Sequence, residues 1–350
     1  MVRKMFAGGN SARGFHSLFH HMFDDQIEQI FLLKGGPGTG KSTLMQNLAA
    51  EAEARGLPVE MFFCSSDPSS LDGVVFPSQR SGVVDATAPH VQDPVLPGCR
   101  EELINLGESW DHTALRKAQK EIAALTAANK AAYARAYRYL RAAEEIEELW
   151  AQINKEYLDA VGTAAAASAL LRQLPHAALD AAAPAKERHL FAAAITPVGV
   201  VDHIGGLAES CTERWVLHWA PGTGLQEVFD TLLSAARLLH LRMEIFHRPM
   251  LPSQVEHVIF PDIGLAVLSQ DERAGGGLSG RAVDLREHLA KEAAPPRVKE
   301  LFSELMELAV GELAQAKAIH DELEDIYVSA VDFTRTEQVR QYLTERIFAC

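Results

Sequence analysis

The sequence predicts an α/β protein with two similar cores, each a mainly parallel sheet followed by a long, coiled-coil-like helical arm. Three observations carry this reading. A strand, a glycine-rich loop and a helix succeed one another between Glu28 and about Glu53. A near copy of the loop, WAPGTGLQE at Trp219–Glu227 against GGPGTGKST at Gly35–Thr43, recurs about half a chain later. Two further stretches carry apolar residues at alternating three- and four-residue spacing over many turns.

In the first core, residues 1–110, the run Ile30–Leu33 reads as a buried strand, the stretch after Lys41 as an amphipathic helix, and Val59–Phe63 as a second strand. Gly82–Asp85 reads as a short strand ending in a carboxylate. Residues 111–187 form the first arm and a linker, the linker marked by the Pro- and Ala-rich stretch Pro175–Glu187. The second core spans 188–292 and the second arm 293–350, its helix starting at the Pro295-Pro296 pair.

The halves align. Gly38, Thr39 and Gly40 fall on Gly222, Thr223 and Gly224 at an offset of 184, as do Phe76-Pro77 on Phe260-Pro261 and Pro68-Ser69 on Pro252-Ser253. Phe6 and Gly14 fall on Phe191 and Gly199 at 185. Collinear matches of this length indicate a duplication. The first arm's seam runs from Leu115 through Asn129, Ala132 and Tyr139 to Tyr157; the second runs from Phe302 through Leu313 to Ala330, in the same register at the same 184 offset. The arms are expected to pack on each other, within or between chains; the polar Asn129 at a seam position either sets register or faces solvent where the helix frays.

The totals narrow the function classes. A chain of 350 residues suits two domains. The formal net charge of -14 argues against a general binder of nucleic acid or anionic membrane, which clusters Lys and Arg. The cysteines Cys64, Cys99, Cys211 and Cys350 include no CxxC pair, which leaves no zinc or redox motif and suits a reducing compartment. No secretory leader and no membrane span are read, so a cytoplasmic location is expected.

The first loop carries the chemistry. Gly35, Gly36, Pro37, Gly38, Thr39, Gly40, Lys41, Ser42 and Thr43 match the phosphate-binding (P-loop, Walker A) pattern in its required strand–loop–helix setting. Glycines let successive N–H groups point at a phosphate, and the helix N-terminus adds partial positive charge. Lys41 is expected on the β- and γ-phosphates of ATP, and the Ser42 hydroxyl on Mg²⁺. Asp85 supplies the metal-shell carboxylate. Asp67, after the second strand, is the first candidate to activate water, with Asp72 behind it, because Ala86 stands where many ATPases place a Glu. Thr87 and His90 are candidates to sense the γ-phosphate, and Arg13, Arg80 and Arg100 to neutralise charge.

The second loop lacks these parts together. Leu225 replaces the lysine, Gln226 the hydroxyl and Ser269 the carboxylate, and Trp219 stands where bare backbone is needed. Turnover of Mg-ATP is not expected there, unless a slipped alignment brings in Asp271. The second copy reads as a packing or regulatory partner, from which Arg214, Arg248 or Arg273 could reach across.

The segments MFAGGNSARGF, KGGPGTGKST, CSSDPSSLDGVVFP, DATAPH and NLGE resemble a family of uncharacterised bacterial proteins with tandem P-loop ATPase domains. The resemblance covers most of the chain and implies two P-loop NTPase cores and ATP rather than GTP. Family members tend to keep a lysine in the second loop; Leu225, Gln226 and Ser269 depart from that. The expected function is therefore an Mg-ATP-binding NTPase hydrolysing at its first loop. The alternatives are a small-molecule kinase, with an acceptor pocket roofed by residues 90–98, and a non-hydrolysing switch that presents its arms to a protein partner or a second copy.

Overall fold

The computed structural model describes residues 1–88, 91–177, 184–271, 277–289 and 295–349. The first half contains β1 (Val2–Met5), a hairpin of β2 (Gly8–Ser11) and β3 (Gly14–Ser17), β4 (Gln29–Lys34), α1 (Lys41–Ala54), β5 (Val59–Phe63), β6 (Leu71–Phe76), β7 (Ser81–Asp85) and β8 (Glu101–Asn105). Its helices follow as α2 (His112–Lys117), α3 (Gln119–Lys155) and α4 (Ala160–Leu171). The second half repeats the series: β9 (Lys186–Leu190), the hairpin β10 (Ala193–Thr196) and β11 (Gly199–Asp202), a one-turn α5 (Ile204–Leu207), and β12 (Glu213–Trp219). Then come α6 (Leu225–Leu238), β13 (Arg242–His247), β14 (Val255–Phe260), β15 (Leu265–Asp271), β16 (Arg281–Asp284), α7 (Pro296–Val328) and α8 (Phe333–Phe348).

Each half builds a six-stranded sheet of one topology: β1-β5-β6-β7-β4-β8 and β9-β13-β14-β15-β12-β16. The sheets are mixed, which corrects the expectation of mainly parallel cores. β6 pairs antiparallel with β5 and β7, and β14 likewise with β13 and β15. The connections explain this: parallel neighbours need a crossover of a dozen or more residues, whereas Phe76-Pro77 and Phe260-Pro261 open tight turns that close on left-handed Arg80 (φ 51°) and Gly264 (φ 61°). β4 keeps two parallel neighbours, β7 and β8, and so sits inside its sheet with its C-terminal end open to the loop.

The halves meet edge to edge. Phe6 and Phe191 exchange two backbone hydrogen bonds of 2.9 and 3.0 Å. A shared core beneath them takes Met5, Phe62 and Val75 from one half and Leu190, Phe246 and Ile259 from the other. Arg3 and Arg188 cross this seam, and both bind Glu60 and Glu244. The four residues are two repeat-related pairs and went unread in the sequence, because nothing local distinguishes a buried ion pair from surface charge.

The long helices α3 and α7 lie side by side and antiparallel within the chain. Asn129 Nδ2 donates to Ala316 O at 2.7 Å, and Arg135 pairs with Glu312 at 2.7 Å. The polar seam residue thus does reach across. The register of the repeat differs from that expected, however. The buried seam residues Ala136, Leu140, Ala143 and Trp150 correspond to Ala309, Leu313, Ala316 and Leu323, an offset of 173. The 11-residue difference from 184 is about three helical turns, so an alanine-rich helix shows the same face at either offset.

Each arm turns back and ends on the opposite core. α4, capped by Asp159, packs on α6 of the second half; α8, capped by Asp332, packs on α1 of the first. Val339, Leu343, Ile347 and Phe348 of α8 complete the apolar core around α1. No described helix is long and apolar enough to cross a membrane.

Candidate functional site

The glycine-rich loop joins the C-terminal end of β4 to the N-terminus of α1. Gly38 and Gly40 hold φ of +69° and +80°, left-handed values that L side chains resist. Gly40 is the N-cap of α1, and Lys41 is its first residue. The side-chain hydroxyl of Thr39 donates to Gly36 O at 3.0 Å and that of Thr87 to Gly35 O at 2.9 Å, bracing the loop from inside and from the next strand. Lys34 Nζ fixes the segment after β7 through Ala86 O (2.7 Å) and Gln92 O (2.9 Å).

Lys41 Nζ donates to Gly35 O (2.7 Å) and Gly36 O (2.8 Å) and lies 3.6 Å from Asp85 Oδ2. Asp85 arrives there because β7 runs parallel to β4 with Leu33 opposite it; its Oδ1 accepts from Thr87 N at 2.8 Å. Ser42 Oγ accepts from Leu71 N at 2.9 Å and keeps its own proton and a further lone pair. An ammonium resting on loop carbonyls, a hydroxyl and a carboxylate beside a helix N-terminus are a donor set that fits a magnesium-bound phosphoanhydride. Pro37 and Thr43 complete the loop and the first turn. A separate trio of ligand type lies along α7: the exposed His320 and Asp321 and the half-buried Glu324.

Several other sequence candidates are held by partners of their own. Asp67 accepts from Ser69 N (3.1 Å), Ser69 Oγ (2.7 Å) and Ser70 Oγ (2.9 Å), and Lys317 of α7 stands 3.6 Å away. Burial raises its pKa, but these hydrogen bonds and the lysine outweigh burial and hold it below the usual range. Asp72 is buried against Cys64, whose thiol burial and the Asp72 charge push well above its ordinary pKa. Arg13 pairs with Glu144, Arg80 with Glu28, and Arg100 binds Ile27 O and Asp24 O. Ala86 is buried in the shared core. His90 and Arg273 lie outside the described residues.

The second loop keeps the frame and fills the site. Thr223 Oγ1 donates to Ala220 O at 2.8 Å, as Thr39 does in the first loop. Leu225 is buried in the second core. The Gln226 amide makes both hydrogen bonds to the Val255 backbone, at 2.8 and 3.0 Å, where Ser42 meets Leu71 in the first half. Ser269 pairs with Leu217 in the sheet, as Asp85 pairs with Leu33, so the alignment holds and Asp271 stands two residues too far. Arg248 stacks 4.7 Å over Trp219 and binds Glu147 of α3; Arg214 is the second residue of β12, at the end away from the loop.

The arm exchange places each arm tip on the other half's loop. A Cβ on Gly36 would meet Trp110 at 2.9 Å and Tyr327 at 3.8 Å; on Gly38, Val328 at 2.8 Å and Glu324 O at 3.1 Å; on Gly40, Thr336 at 3.2 Å. Conversely, Gly222 lies against Ala151 and Gly224 against Thr163, and Asn154 donates to Pro221 O at 2.7 Å. The loop glycines thus admit the close approach of an arm. Residues 324–336 had no signal of their own beyond helix periodicity.

Among known proteins, a family model described as the N-terminal region of nephrocystin 3 matches residues 15–76, the stretch holding the first loop, α1 and β5–β6. No curated protein matches the chain, and no solved structure matches it.

Proposed function

We propose that the chain binds Mg-ATP at Gly35–Thr43 and hydrolyses it there, with the second half as a structural and regulatory partner that carries no working site. The observation that carries this is Lys41 Nζ lying 3.6 Å from Asp85 at the mouth of a glycine-rich loop, against Leu225 and Ser269 at the matching places of the second. Lys41 and the loop N–H groups bind and orient the phosphates; Ser42 and Asp85 hold the metal. Magnesium, when bound, supplies charge neutralisation on the phosphate oxygens. Thr87, hydrogen-bonded to Gly35 O, positions the loop edge.

A second reading has one observation in its favour. The carboxylate expected to activate water, Asp67, is taken up by Ser69, Ser70 and Lys317, and Ala86 offers none. A nucleotide-dependent switch needs no such base, and its output would be the arms. Phosphate release from Mg-ATP by the purified chain, beside Lys41→Ala, separates the two. Release that vanishes in the variant supports hydrolysis at the first loop. Tight ATP binding without release would replace the hydrolase by the switch, and loss of neither binding nor release in Lys41→Ala would remove the loop from both.

A further inference from the structure

A cleft of about 750 Å³ opens beside the first loop. One wall is Glu108–Asp111, the segment after β8; the other is Ser329–Asp332 with Arg335, the turn between α7 and the body of α8. Two backbone bonds join the walls: Asp111 N to Ala330 O at 2.7 Å and Asp332 N to Ser109 O at 2.9 Å. Trp110 belongs to both cleft and loop. It lines the cleft, and its ring is what a Cβ on Gly36 would strike. Trp110 is therefore the link between the loop and the cleft.

The cleft's chemistry is not that of a phosphate site. It presents Glu108, Asp111 and Asp332 against one cation among the described residues that line it, Arg335, which lies 3.7 Å from Glu108. Carboxylates repel phosphate oxygens but accept hydrogen bonds from hydroxyl and amino groups. Asp111 and Asp332 each use Oδ1 to cap a helix, so the second oxygen of each is not spent on capping. Trp110 adds an aromatic ring, its indole N–H buried and without an acceptor among the described residues. Hydroxyls, an exocyclic amine and a flat ring with acceptor nitrogens are what a nucleoside brings.

Resting on the reading of the first loop as an ATP site, we infer that this cleft takes the nucleoside end of the nucleotide, so that the turn and terminal helix of the second half complete the binding site of the first. This gives the second half a direct part in ligand recognition although its own loop is filled. It also makes nucleotide binding bridge two elements far apart in the chain.

Calorimetric titration of the full chain with Mg-ATP and with magnesium tripolyphosphate tests this. The variant is Glu108→Ala with Asp332→Asn; Glu108 is exposed, and asparagine preserves the cap. The wild type is expected to bind Mg-ATP at least tenfold more tightly than tripolyphosphate, and the variant to lose most of that preference with tripolyphosphate affinity held within about threefold. Equal affinity for both ligands in the wild type, or an undiminished preference in the folded variant, overturns the cleft and leaves the loop standing. Binding of neither ligand to the wild type removes the loop reading and the cleft with it.

Discussion

Thr336, in the first turn of the C-terminal helix, donates its hydroxyl to the carbonyl oxygen of Thr39 in the first loop at 3.1 Å. The bond is buried and ties the last helix of one half to the glycine-rich loop of the other. It has a structural counterpart without a bond. Thr163, at the matching place on α4, abuts Gly224 of the second loop, yet its hydroxyl is buried with no partner among the described residues.

The two threonines should answer the same substitution oppositely. Thr336→Val leaves Thr39 O without its donor and is expected to cost about 1 kcal/mol in urea unfolding. Thr163→Val removes an unsatisfied buried hydroxyl and is expected to be neutral or stabilising. Equal losses at both sites would show that the hydroxyls act through packing rather than hydrogen bonding.

Gly38→Ala tests the contact between the loop and the arm tip. The residue holds φ +69°, and the new Cβ would lie 2.8 Å from Val328 Cγ2 and 3.1 Å from Glu324 O. The left-handed backbone costs about 1–2 kcal/mol for alanine, and displacement of α7 adds to it. Val328→Ala removes the methyl obstruction but not the carbonyl. In a double-mutant cycle on thermal stability it should recover part of the loss, with a coupling of at least about 0.5 kcal/mol. Strict additivity would mean that the tip does not bear on the loop.

The first loop was legible because its signal is local: spaced glycines, Lys41 and Ser42 at the start of a helix, and Asp85 at the end of a strand. The repeat was legible wherever the backbone fixes register, and Ser42–Leu71 against Gln226–Val255 confirms the 184 offset inside the sheets. It failed in the arms, where an alanine-rich helix tolerates a three-turn slip. The reversal of β6 and β14 lay behind Phe-Pro pairs read only as markers of repetition. The landings of α4 on α6 and of α8 on α1 are set by the turns after Lys155 and Val328, whose direction comes from contacts distant in sequence, such as Asp159 N to His288 O and Asp332 N to Ser109 O.

The seam between halves rests on Arg3, Glu60, Arg188 and Glu244. Burial raises the Glu60 pKa, but Arg188 and Arg3 outweigh it and hold the carboxylate below its usual range. A carboxylate depressed in this way adds stability above its unfolded pKa, and that stability is lost as pH falls through the folded value. Glu60→Ala leaves two buried guanidiniums short of a partner and is expected to cost about 3–5 kcal/mol at neutral pH. The difference from wild type should shrink on acidification. A loss under about 1 kcal/mol in denaturant unfolding would mean that the halves hold together without a net contribution from Glu60.

Glu256, the counterpart of Asp72, should impose the opposite pH dependence. Burial raises its pKa from 4.5 to about 8; Arg248 opposes the rise, and Asp202, Asp271 and Glu147 add to it. Its Oε2 has no hydrogen-bond donor among the described residues, and the nearby His257, 3.8 Å away, is held neutral by burial with a pKa of about 3. A carboxyl whose pKa is raised on folding contributes fully below pH 4.5, and its contribution declines as pH rises towards 8. Glu256→Gln keeps the shape and cannot ionise. The stability of the variant relative to wild type should therefore grow steadily across that window in parallel urea titrations. A difference that stays flat from pH 5 to pH 8 would show that Glu256 is ionised in the folded chain throughout, with Arg248 as its counter-charge.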